Sequence, residues 1–113
     1  MDDVISMAEK LGTAIAQSPQ ALRLREARKA MNAQPDLVKL LDDYQAQTDK
    51  VAALEEQQKP VEVDDKRKLQ DLHDRLVSSD VFKKYTAAQV EYVDMMRRVN
   101  HILRKHLTEV EAE

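Results

Sequence analysis

The densest chemistry in this sequence lies between positions 97 and 106. There Arg97, Arg98, His101, Arg104, Lys105 and His106 put four firm positive charges on ten residues with no acid among them. Such a group can hold an anion, either the phosphates of RNA or the carboxylates of an acidic protein. The plainer reading is that the cluster complements the negative end of a helix dipole and keeps the surface hydrated. No aromatic ring is interleaved for base stacking, because the tyrosines fall on an apolar stripe, so nucleic acid is not the expected ligand. Arg97, Arg98, Arg104 and Lys105 stand as candidate contacts for an anion or a protein partner.

Nothing else in the chain assembles into catalytic chemistry. His101 and His106 are five residues apart and diverge by about 140° on a helix, so they cannot share a metal ion. His106 falls on the extension of an apolar stripe, where a partly buried imidazole with a hydrogen-bond partner is expected. Asp71 and His73 are two apart and face different directions. No Glu-x-x-His pair supports a carboxylate-bridged metal centre. Ser18, Ser78 and Ser79 sit at helix boundaries, where capping explains them without nucleophilic chemistry. Acidic pairs such as Asp42-Asp43 and Glu55-Glu56 read as hydrated helix surface. With no cysteine there is no thiolate metal site or cysteine nucleophile, and a single glycine cannot build a phosphate-binding loop. No enzyme activity, metal or cofactor is expected.

The elements that carry these residues read as five helices. Charged residues make up 35% of the 113 and aromatics 4%, a balance that suits helices with one apolar stripe each. The first helix spans about 3–17, with Val4, Ala8, Leu11 and Ile15 on one face. Gly12 inside it is either tolerated or marks a close helix crossing. Ser18-Pro19 starts a second helix to about Ala33, with Leu24, Ala27 and Met31 inward and a basic outer face of Arg23, Arg25, Arg28 and Lys29. Gln34-Pro35-Asp36 restarts the chain into a third helix to about Lys59, striped by Leu37, Leu41, Tyr44, Thr48 and Val51. After a loop at 59–63, Asp64 and Asp65 are placed to cap a short fourth helix with Leu69, Leu72 and Leu76 inward. Lys66, Arg67 and Lys68 oppose its dipole, so tertiary packing must hold its start. Ser79-Asp80 caps a last helix to about Leu107, and residues 108–113 are expected to fray.

That last helix has the strongest pattern: Phe82, Tyr85, Tyr92, Met96, Val99 and Leu103 repeat at three and four residues. The third and last helices would be about 36 and 42 Å long, beyond the roughly 30 Å of a small compact domain. The expectation is one all-α domain over residues 1–113, a helical bundle whose third and last helices pack in a homodimer or larger oligomer. The net charge of -3 draws the chain to neither nucleic acid nor membrane. No apolar run approaches the ~18 residues of a membrane span, and the acidic start at Asp2 and Asp3 is unlike a signal peptide. A cytoplasmic location is expected.

Several stretches resemble the YlbF/YmcA family of small helical bacterial regulators: Ala8–Ser18 with the Ser-Pro break after it, Asp36–Gln45, and Val81–Tyr92, in which valine, tyrosine, a small pair and an acid follow in order. The likeness runs from about Val4 to His106. It implies an all-α, dimerising, non-catalytic adaptor of bacterial competence, sporulation or biofilm control that binds other regulatory proteins. Some members join a complex that modulates messenger-RNA processing by a ribonuclease. Iron–sulfur clusters held by cysteines in some of those complexes cannot be carried over to a chain without cysteine. Where relatives often place glycine after the third helix, this chain has Lys59-Pro60.

Overall fold

The structure, a computed structural model, describes residues 2–111. They form five helices: α1 (Asp2–Ala16), α2 (Pro19–Asn32), α3 (Pro35–Glu56), α4 (Val63–Val77) and α5 (Asp80–Glu111). The all-α expectation and the helix count hold. The chain divides into two compact units, one of Met1–Ala27 with Tyr85–Glu113 and one of Arg28–Lys84.

Local chemistry accounts for the helix boundaries. The Ser18 hydroxyl accepts from the Ala21 N–H at 3.1 Å, capping α2, and donates to the Ile15 carbonyl at 2.6 Å, closing α1. Arg25 adds to that closure, its guanidinium donating to the Ala16 carbonyl at 2.7 Å. One member of the basic face of α2 is thus a cap for the preceding helix. Pro35 opens α3 from an extended Gln34. The Ser79 hydroxyl accepts from the Phe82 N–H at 3.2 Å, as its place before α5 requires.

Helix α3 stops at Glu56, a turn before its expected end. The Lys59 N–H reaches the Leu54 carbonyl at 2.8 Å and the Gln58 N–H reaches Glu55 at 3.0 Å, the paired bonds of a Schellman ending. That ending needs a left-handed residue, and Gln58 supplies it at φ 57°. Glycine would take this conformation without steric cost.

In the second unit, α3 and α4 pack against each other. Gln47 and Lys50 of α3 meet Asp65 near the start of α4, while Tyr44 meets His73 further on, so the two helices run antiparallel. Leu37, Leu72 and Leu76 are buried, and Leu76 is only 2% exposed. Asp64 and Asp65 lie inside the first turn of α4 rather than capping it; the cap position is Glu62, whose side chain makes no capping bond.

Helix α5 corrects the expectation of a frayed tail for residues 108–111. It keeps its turns through Glu111, four residues past the expected end at Leu107. The Thr108 hydroxyl donates to the Arg104 carbonyl at 2.7 Å, tying in the turn where the pattern weakens. Residues 112 and 113 lie outside the described residues.

Candidate interaction surfaces

Two surfaces of the first unit were singled out by the sequence, and the structure grades them differently. On the α5 stripe, Tyr85, Tyr92, Met96 and Val99 are half-buried, Ala88 is buried and Leu103 is exposed. Phe82, also half-buried, belongs to the second unit. From His101 to Glu111 every residue is exposed, including Ile102, Leu103, Leu107 and Val110. The expected partly buried His106 is therefore corrected: the stripe extends to it, but nothing covers the helix there. Helix α1 has no buried residue, and Val4, Ile5 and Met7 are 71%, 60% and 70% exposed. A Cβ added at Gly12 would meet nothing within 4 Å, so the glycine marks no helix crossing within this chain.

The basic cluster, His106 apart, lies off the stripe on the other side of α5. With about 100° per residue, Arg97, His101 and Arg104 project on a line roughly opposite the centre of the Tyr92–Met96–Leu103 stripe. All six residues of the cluster are exposed. Arg98 pairs with Asp94 at 3.3 Å, one turn back. Among the described residues, Arg97, Arg104 and Lys105 have no ion-pair partner. The dipole reading of the cluster fails. Because α5 runs to Glu111, its last turn carries no base, and Arg104 and Lys105 sit well inside the helix. The dipole's influence fades within the final turn.

A third constellation escaped the sequence reading. Gln47 is 4% exposed, and its side-chain amide donates to the backbone carbonyl of Asp65 at 2.9 Å. Lys50 reaches the Asp65 carboxylate at 2.9 Å. This hydrogen bond holds the Asp65 carboxyl below its ordinary range, against the opposite pull of partial desolvation. Together these contacts anchor the start of α4, which Lys66, Arg67 and Lys68 disfavour locally. The signal was present: Gln47 stands three residues after Tyr44 and four before Val51, on the stripe itself. Its polar side chain masked an inward position.

Among the described residues, no three His, Cys, Asp or Glu side chains gather as metal ligands, and no helix is long and apolar enough to cross a membrane. The described surfaces define a class: an all-helical chain in which α3 packs on α4 while apolar residues of α1 and of the end of α5 stand exposed. The chain belongs to the YlbF/YmcA family, described as control of competence regulator ComK, whose profile matches residues 4–108. A chain of the crystal structure of Bacillus subtilis RicA in complex with RicF superposes with a TM-score of 0.75 at 15% identity, covering 98% of this chain and 97% of that one. A protein of unknown function (DUF964) from Bacillus stearothermophilus gives 0.72 at 14% identity, covering 96% of each chain. No curated protein sequence matches significantly. At these identities the structural likeness establishes the fold.

Proposed function

We propose that this protein is a non-enzymatic cytoplasmic regulator or adaptor that works as a helical homodimer, acting as one domain through protein–protein contacts. The observation that carries this reading is the first unit's exposed apolar surface. Val4, Ile5 and Met7 on α1, with Ile102, Leu103, Leu107 and Val110 on α5, are too many large apolar residues on two helices to read as scattered surface positions. Covering them with a second copy removes that surface from water, and two-fold self-association is the commonest way to do it. Family membership supports a regulatory role, and the solved complex of RicA with RicF supports protein partners for this fold. Participation in a complex that modulates RNA processing is the finer part of the reading, and it rests on the family alone.

Light scattering at micromolar concentration should report at least twice the chain mass. Tyr92→Asp puts a charge on the half-buried seam and should return the mass to that of one chain with helicity retained. Glu91→Lys, which loses only an exposed pair with Arg23 at 3.2 Å, should leave it unchanged. A wild-type protein that stays monomeric overturns the dimer.

A further inference from the structure

The outer face of α5 combines two features. Val90, Val93, Arg97, His101 and Arg104 lie within a strip about 80° wide and four turns long. Val90 is 64% exposed and Val93 42%, although both stand on the side away from the main stripe. A shallow depression lined by Gln89, Val90, Glu91, Val93, Asp94 and Arg97, its two carboxylates already paired with Arg23 and Arg98, continues into a second one lined by Arg97, Arg98, His101 and Ile102. One end of the strip is thus apolar and the other cationic. The cationic end has no structural employment: Arg97 and Arg104 have no ion-pair partner among the described residues, and both lie too far from the helix terminus to serve its dipole. The chain as a whole is net acidic, yet no acid stands among residues 97–106.

We propose that this strip docks an acidic amphipathic helix of another protein. Apolar residues of that helix would cover Val90 and Val93, and its carboxylates would meet Arg97, His101 and Arg104. Charge complementarity selects the occupant. RNA would use the cations but leave the valines uncovered, and no exposed aromatic stands beside them to stack a base. A second copy of this chain is better matched to the main stripe and α1, whose apolar faces are far larger. The inference rests on the reading of the protein as an adaptor but not on its being a dimer.

The test uses the full chain and a labelled synthetic helical peptide of about 20 residues, with a leucine pair followed by three glutamates at the spacing of Arg97, His101 and Arg104. Fluorescence anisotropy should show binding that a scrambled peptide of the same composition lacks, and that weakens as salt is raised. The double variant Arg97→Gln/Arg104→Gln should weaken it about tenfold or more, because it removes both unpaired guanidinium groups. Val90→Ser/Val93→Ser, an independent change at the other end, should weaken it by about tenfold as well, through lost apolar burial. All four positions are exposed, so helicity and light-scattering mass should stay those of the wild type. A mass that is monomeric throughout removes the dimer while leaving the docking strip standing. Equal binding of ordered and scrambled peptides, unchanged binding by both variants, or binding of a single-stranded oligouridine in place of the peptide overturns the proposal.

Discussion

The α3–α4 pair and the helices of the first unit are built from similar amphipathic sequence yet solve burial in opposite ways. In the pair, Leu37, Leu72 and Leu76 leave water within the chain, and Gln47, Lys50 and Asp65 fix where one helix meets the other. In the first unit, burial reaches Ala21, Leu24 and Ala88, while α1 and the last ten residues of the described α5 bury nothing. An apolar stripe specifies that a helix face wants covering. It does not specify from which chain the cover comes. The contrast separates a part of this protein that covers its leucines within the chain from a part whose apolar residues stay exposed.

The largest effect should come from testing the contrast directly. Leu76→Ala removes a fully buried side chain and should cost about 2–5 kcal/mol, read as a shift of the denaturant midpoint. Leu107→Ala, a similar deletion on exposed α5, should change single-chain stability by no more than about 0.5 kcal/mol, and its effect should appear in dimer dissociation instead. Equal losses in dilute monomer would erase the distinction between the regions. Next, Gln47→Leu keeps the volume but removes the donor to the Asp65 carbonyl, and should cost about 1–3 kcal/mol. A neutral result would mean that the pair is held by its leucines alone.

Gly12→Ala sharpens the other side of the comparison. Within one chain the new methyl group meets open space, so α1 should gain about 1 kcal/mol of helix stability, visible as slower amide exchange. If the same change weakens self-association, the space beside Gly12 is filled by the second copy. The smallest effect concerns pH. Asp65 titrates below its ordinary 3.8 when folded, so its contribution is complete above that value and drains away as pH falls through the lowered folded one. Asp65→Asn should therefore show a shallower loss of stability on acidification than the wild type in denaturant titrations. Parallel pH profiles would show that Lys50 gives the carboxylate no lasting support.

Most of the architecture could be read from the chain because its determinants are local. Pro19 and Pro35 restart helices, Ser18 and Ser79 cap them, and the spacing of Leu72 with Leu76 announces an inward face. The basic cluster, and the place of Arg97, His101 and Arg104 opposite the Tyr92–Met96 stripe, also follow from helical period. The depth of burial did not. His106 and Leu103 extend a stripe that the structure leaves exposed, and Gln47, polar by type, proved more deeply buried than Tyr44 or Val51 beside it. The meaning of Arg104 and Lys105 turned on whether α5 ends at Leu107 or Glu111. Periodicity follows from the fixed turn of a helix, which each residue carries with it. Burial, and the identity of the neighbour that supplies it, depend on which helices approach from elsewhere in the chain, and only packing in three dimensions fixes that.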